Sequence, residues 1–447
     1  MNRFDRIRRE LAAATRLAGP VALIQLGLMS MGVVDTMMLG HLSASALAAG
    51  ALGHISTLIF LVLGGGILAA LDPLVSQAHG AEDSKAVGDH LQRGIVLALV
   101  MVLPCALLLW DVGPALRLAG QPAAVVGEAA AFSRAIIWGL PAYYLFVTLR
   151  QTLQAMSVVR HTAITIVVGN LANIFGNWVL IYGHLGMPAL GVRGSAYSTS
   201  ICRTAMFLWL LIASRRALAP YWRGFTREAF DLGRHLRLLR LGLPIGLHQS
   251  FEIVFFITLA LLMGRMGITQ LAGHQIAINL ASVSFMVPLG IAGAAATRVG
   301  NAIGRRDMPG ARRAAAACLL LGAGVMVVFA AIFAFVPAPL ARLYTRNPVV
   351  IAMATALLPI AAVFQVFDGI QVVGAGVLRG AADTTYPAGL ALVGFWLIGL
   401  PAGCFLAFTA GQGPRGLWWG ATIALAAVAV LLLARIAHRF RGEIERV

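Results

Sequence analysis

Long apolar stretches separated by short polar segments dominate the 447-residue chain. Stretches of the roughly 20 residues needed to cross a bilayer fall at 17–39, 48–76, 92–112, 132–156, 162–183, 194–213, 238–263, 271–298, 314–336, 350–378, 388–408 and 416–437. The pattern predicts an all-α polytopic membrane protein with twelve transmembrane helices, the longer ones tilted, bent or extended past the bilayer. The first stretch follows several arginines, as a signal peptide does. It exceeds the roughly 7–15 residues of a signal-peptide core and ends in no small-residue cleavage motif, so it reads as span 1.

Sliding the chain against itself by 224 positions aligns the first two stretches of each half without a gap. Pro20 meets Pro244, Leu23 meets Leu247, Gln25 meets Gln249, Gly40 meets Gly264, Leu47-Ala48 meets Leu271-Ala272, Gly66-Ile67 meets Gly290-Ile291, Gly80 meets Gly304 and Asp83 meets Asp307. Prolines, glycines, a glutamine and an aspartate in one register indicate a duplication. Six helices per half is an even number, so both halves enter the membrane from the same side. The repeats are parallel, and the expected mechanism is rocking of one half against the other around a central cavity. The sequence divides into lobes at 1–213 and 238–447, joined by a basic linker at 214–237 that is expected to form an interfacial helix beside anionic headgroups.

Composition agrees with this layout: 60% of residues are hydrophobic and only 11% charged, and mean hydropathy is +0.86. Soluble domains run about 45–50% apolar and about 25% charged, so a water-soluble globule is excluded. Thirty-four basic residues against 17 acidic ones give a net charge of +17, and every basic residue except Lys85 is arginine. Their placement argues for topology and against nucleic-acid binding. One side collects Arg3, Arg6, Arg8, Arg9, Arg16, Lys85, Arg93, Arg150, Arg160, the linker arginines, Arg298, Arg305, Arg306, Arg312, Arg313, Arg379 and the C-terminal tail. The other holds Arg117, Arg134, Arg193, Arg265, Arg342, Arg346 and Arg415. By the positive-inside rule both termini are expected in the cytoplasm.

Three acids lie well inside apolar stretches: Asp35 in span 1, Glu252 in span 7 and Asp368 in span 10. A carboxylate at the bilayer centre costs at least about 2.5–3.5 kcal/mol, so such groups are kept for ion sites, proton relays or pathways. Burial favours the neutral form of a carboxyl, which suits proton exchange. Carboxylate, amide and carbonyl oxygens equally suit Na⁺. Under the 224-residue register Asp35 meets Leu259 and Glu252 meets Leu28, so the lobes are expected to differ in chemistry. Span 5 adds Asn170, Asn173 and Asn177; the last two share a helix face, able to bond a carboxylate, coordinate a cation or bridge helices. Gln275 and Asn279 in span 8 have the same spacing and the same alternatives. Asp72, near the end of span 2, reads as structural. Glycines and alanines within spans indicate close helix packing, and Pro141, Pro244, Pro288, Pro359 and Pro401 indicate bends.

Other chemistry lacks its signature. Cys105, Cys202, Cys318 and Cys404 have no C-x-x-C spacing, the histidines lack H-E-x-x-H, and no serine sits in G-x-S-x-G. Lys85 follows Ser84 and precedes Ala86, which excludes a P-loop. Neither an enzyme nor a metal site is expected, and transport energy must come from an ion gradient, the substrate gradient or a partner.

Several ordered motifs resemble one family. They are Gly19-Pro20 with Val34-Asp35-Thr36-Met37-Met38-Leu39-Gly40, Asp72-Pro73-Leu74-Val75-Ser76-Gln77-Ala78-His79-Gly80-Ala81, and Gly273-His274-Gln275-Ile276-Ala277-Ile278-Asn279 with Phe285-Met286-Val287-Pro288. Phe367-Asp368-Gly369-Ile370-Gln371-Val372-Val373 with Leu378-Arg379-Gly380-Ala381-Ala382-Asp383-Thr384 completes the set. Over essentially its whole length the chain resembles the multidrug and toxic compound extrusion (MATE) transporters, in their NorM-like bacterial branch. The resemblance implies efflux of cationic amphipathic drugs or metabolites in exchange for Na⁺ or H⁺, in an inner membrane, by a monomer among lipids. It implies a cation site at Asp35, Asn173 and Asn177, a second at Glu252 and Asp368, and a substrate cavity with Gln275, Asn279 and Phe364. Phe364 stands where relatives can carry Tyr, which removes a possible oxygen ligand. The alternative is a lipid or lipid-linked precursor flippase; it calls for basic cavity walls, whereas the interior charges noted above are acidic.

Overall fold

The computed structural model describes residues 3–222 and 224–447; the side chains of residues 3–7, Arg3 and Arg6 among them, and Arg223 of the linker lie outside the described residues. Among the described residues, eleven helices are long and apolar enough to cross a membrane, and a bent pair counted as one makes twelve. The spans are 1 (Arg8–Leu42), 2 (Ala44–Gly80), 3 (Ser84–Trp110), 4 (Ala123–Ile137 with Leu140–Ala155), 5 (Arg160–Tyr182), 6 (Gly191–Leu218), 7 (Leu232–Met266), 8 (Ile268–Gly304), 9 (Met308–Phe335), 10 (Pro348–Gly380), 11 (Thr385–Thr409) and 12 (Pro414–Arg439). Span 4, read from hydropathy as one helix at 132–156, is broken at Trp138-Gly139 with a 54° bend. Pro141 opens its second half, where a missing N–H costs nothing. Span 11 holds π-helical turns at Leu392–Gly399 and Phe405–Thr409, on either side of Pro401.

The duplication is visible in the caps. Asp83 and Asp307 each cap a following span, their carboxylates accepting from Ala86 N at 2.9 Å and Gly310 N at 2.8 Å. Just before each cap sits a left-handed residue, Glu82 and Arg306, both at φ 58°. Asp83 N donates to Ala78 O at 3.0 Å and Asp307 N to Ala302 O at 2.9 Å, the six-to-one bond that closes a Schellman turn. Span 4 ends the same way at Ser157, with Val158 N on Leu153 O, and span 10 at Ala382, with Asp383 N on Leu378 O. Asp383 also accepts from Arg435 Nε at 2.8 Å, tying that turn to span 12.

The described chain forms two compact units, residues 26–246 and residues 1–25 with 247–447. Packing therefore divides the protein elsewhere than the linear order of the lobes does. Spans 1 and 7 each change unit within a few residues of the repeated prolines, Pro20 and Pro244. In the first unit span 4 rests on spans 2, 3 and 6, and spans 5 and 6 pair. In the second, span 10 is the hub, packed on spans 8, 9 and 12. Phe255, Phe364, Phe395 and Trp418 fill its apolar core.

Small residues allow the exchanged segments to seat. A Cβ on Gly242 would strike the Ile67 carbonyl, and one on Gly290 would strike the backbone of Ala22. The backbone-to-backbone approach leaves neither neighbour able to rotate away. Gly242→Ala and Gly290→Ala are each expected to destabilise by about 1–3 kcal/mol, read as lower melting temperatures in detergent. Gly19→Ala and Gly389→Ala, whose Cβ positions have nothing within 4 Å, should be neutral or stabilising, because alanine is the better helix former.

The linker differs from its expected interfacial helix. Span 6 continues to Leu218, Pro220 stops it, and the described residues among 219–231 hold only the 3₁₀ turn Arg227–Phe230 before span 7 begins at Leu232. Gln92 of span 3 clamps this loop, its Nε2 donating to Gly224 O at 2.6 Å and its Oε1 accepting from Thr226 N at 3.1 Å.

Candidate functional site

Helical register brings Asp35 of span 1 against spans 5 and 6. Its Oδ1 accepts from Asn177 Nδ2 at 2.6 Å, and its Oδ2 accepts from Thr199 Oγ1 at 3.0 Å. Asn177 Nδ2 also reaches Asn173 Oδ1 at 3.3 Å, one helical turn away, so the expected trio is in direct contact. Asn173 and Asn177 are fully buried, and Asn177 Oδ1 and Asn173 Nδ2 have no hydrogen-bond partner. An unmet buried polar atom costs about 1–3 kcal/mol; a cation entering between Asp35 and Asn177 Oδ1 would find two oxygens. Asn170 faces elsewhere: its Nδ2 donates to Gly27 O and Ile166 O, both at 2.9 Å, and so serves to join spans 5 and 1.

A cavity lined by Asp35, Thr36, Leu39, Leu47, His54 and Ser195, among others, opens at this cluster. It offers ≈ 20 Å³ to the centres of water-sized spheres, while about 10–15 Å³ suffices for one water. The space fits a water or a small cation and excludes a drug.

Three residues here were not assigned by sequence. Thr199 lies in the hydroxyl run Ser198-Thr199-Ser200, a signal that existed but did not say which oxygen faces Asp35. His54 of span 2 comes beside Gly32, its Cε1 3.8 Å from where a Cβ there would stand. Arg203, one turn beyond Thr199, places a cationic group inside the same unit and corrects the view that interior charges are acidic alone. Its guanidinium carbon lies 4.9 Å from the Tyr143 ring centroid, a cation–π contact, and its Nη1 is buried without a partner.

The second acidic pair belongs to the other unit. Asp368 is 5% exposed, its Oδ1 has no hydrogen-bond partner, and it lies near enough to Glu252 for the two charges to interact. Next to the pair, His248 Nε2 and Gln371 Nε2 are 3.0 Å apart, four residues before Glu252 and three after Asp368. Trp396 Nε1 donates to the Phe251 carbonyl at 3.3 Å, fixing span 7 beside span 11. Leu259, the repeat counterpart of Asp35, is buried in the apolar core. The units thus carry different chemistry on one repeated fold.

The remaining expected positions separate. Gln275 and Asn279 are exposed on one face of span 8, with Asn279 Nδ2 donating to the Gln275 carbonyl at 3.0 Å. Phe364, expected in the substrate cavity, is 2% exposed and packs edge-on between Phe256 and Trp418, at centroid distances of 5.9 and 5.4 Å. A ring without a polar atom gains more in that aromatic core than at a wet wall. Asp72 is fully buried near the end of span 2.

Twelve spans in two repeated halves, with carboxylates inside each unit, define a polytopic membrane transporter. The chain belongs to the MatE family, whose model matches residues 20–179 and 244–405, two blocks that begin 224 positions apart. It is 36% identical to the "Probable multidrug resistance protein NorM" of Mesorhizobium japonicum, covering 97% of this chain and 95% of the relative. Its fold is that of the crystallised eukaryotic MATE transporter AtDTX14, with TM-score 0.88 and 24% identity over 97% of this chain and 96% of that one. A MOP superfamily transporter from Pyrococcus furiosus, described as having a binding pocket of reversed polarity that suggests a different function, matches at TM-score 0.87 and 19% identity, with the same coverage of each chain. Likeness of fold does not fix function, which has to be argued from the site.

Proposed function

We propose that this protein is a monomeric efflux antiporter of a bacterial cytoplasmic membrane, with both termini in the cytoplasm. It expels cationic amphipathic molecules in exchange for an inward monovalent cation, Na⁺ or H⁺, by alternating access between two lobes. The observation that carries the reading is Asp35, a carboxylate inside an apolar span, held by Asn177 and Thr199 beside a cavity sized for a water or ion. Such a group is retained at a free-energy cost because it binds what the protein moves. The likeness to a probable multidrug resistance protein supports drugs as the cargo, and the clustering of arginines on one side supports the orientation. The linker, with Trp222, Phe225 and Phe230 exposed next to Arg227 and Arg234, suits the headgroup layer of anionic lipid. A flippase would need grouped basic side chains to receive phosphate; Arg203 instead stacks singly on Tyr143.

The test is exchange in proteoliposomes. Vesicles loaded with a fluorescent cationic drug receive ΔpH or ΔNa⁺ separately, and one of the two is expected to accelerate drug movement. No acceleration by either gradient overturns the antiport reading.

A further inference from the structure

Arg203 occupies a particular level of its unit. Thr199, which donates to Asp35, precedes it by four residues on span 6, so the Arg203 Cα lies about 6 Å farther along the helix. Farther still in that direction runs the second half of span 4, from Tyr143 to the turn at Ser157. Along it Thr148, Gln151, Thr152 and Gln154 are all buried, with Thr148 Oγ1 on Tyr144 O at 2.9 Å and Thr152 Oγ1 on Thr148 O at 2.9 Å. Ser76 and Gln77 of span 2 are buried in the same unit. A ladder of polar groups therefore leads from the Arg203–Tyr143 contact to one end of the unit, and the Asp35 cluster lies on the other side of that contact.

We infer that Arg203 is an electrostatic plug, a fixed positive charge that keeps a cation at Asp35 from passing through the interior of its own unit along the polar ladder. The inference rests on the reading that Asp35 exchanges a monovalent cation. A guanidinium is charged at every accessible pH, and positive charge in a narrow path excludes cations, protons included. The Arg203 guanidinium lies over the Tyr143 ring and its Nη1 is buried without a partner, so no carboxylate pairs with it at that atom to cancel its charge. The charged and titratable groups around it are Asp35 of span 1, His54 of span 2, Tyr143 and Tyr144 of span 4 and its own neighbour Cys202. In the second half of the chain, span 12, the sixth of its half, carries no arginine between Arg415 and Arg435. The plug accordingly exists only in the repeat that holds Asp35.

The experiment measures leak without drug. Full-length protein is reconstituted into vesicles with a trapped pH dye and a valinomycin-clamped potential; Na⁺ entry is followed in parallel with ²²Na⁺. Arg203→Gln is expected to raise proton or Na⁺ entry at least about tenfold over the wild type. Arg203→Lys, which keeps the charge, should stay tight, and adding Asp35→Asn to Arg203→Gln should return the leak toward the wild-type level. If Arg203→Gln does not reconstitute as monodisperse protein, Arg203→Met, which removes the charge and keeps a long unbranched side chain beside Tyr143, carries the test. A reconstituted charge-removing variant as tight as the wild type overturns the plug, as does an Arg203→Lys leak equal to that of Arg203→Gln. Drug exchange by the wild type is recorded in the same vesicles, so a failure of the antiport reading appears there and not in the leak.

Discussion

Asp368→Asn is expected to lower gradient-driven drug exchange by at least about tenfold while leaving the protein folded. Asparagine preserves the shape of the side chain, and Asp368 Oδ1 has no hydrogen bond to lose, so the melting temperature should hold. The ability to take up and release a positive charge beside Glu252 is what disappears. Two carboxyls close together in a medium of low dielectric resist being charged at once, so under the proposed antiport the pair would take up a cation. Glu252→Gln removes the other member and should act in the same direction. Exchange in proteoliposomes under ΔpH and under ΔNa⁺, with melting curves of each variant, provides the readout. Full activity in both variants would show that the coupling site lies elsewhere.

Asp35→Asn should have a comparable effect through the other unit, and Thr199→Val separates the role of the carboxylate from that of its support. Valine matches threonine in shape but removes the 3.0 Å bond to Asp35 Oδ2. A hydrogen bond to a charged group contributes about 1.5–3 kcal/mol, and about 1.4 kcal/mol is tenfold in affinity. Thr199→Val is therefore expected to shift the half-saturating concentration of the coupling cation roughly tenfold or more, with the maximal rate nearly unchanged. Asp35→Asn should abolish the cation dependence contributed by this unit. Coupling retained in Asp35→Asn would remove the cluster from the mechanism, whatever the behaviour of Thr199→Val.

The spans and the duplication were legible because both are one-dimensional. A bilayer demands a fixed length of apolar chain, and a duplication leaves prolines, glycines and caps in register. Asp83 and Asp307 matched in sequence because each closes the same turn onto the next helix. The break in span 4 was not legible, since hydropathy runs unbroken through Trp138 and Gly139. The linker misled for a related reason: a stretch too polar to span can be helix or loop, and Pro220 with the Gln92 clamp decides for loop. Asp35 and Asn177 were recognisable because a charge or an amide in an apolar run is rare. Thr199 was not, because a hydroxyl can satisfy itself on its own helix, as Thr148 and Thr152 do.

By itself the sequence determined the number of crossings, the parallel repeat and the presence of three acids inside apolar spans. It did so because each follows from the solvent the chain meets. Only the tertiary structure decided that Thr199 and Asn177 grip Asp35, that His54 and Arg203 stand near it, and that Phe364 belongs to an aromatic core. Those are meetings between helices distant in sequence, set by which faces pack together. The same packing drew the unit boundaries inside spans 1 and 7, where small residues let backbones touch.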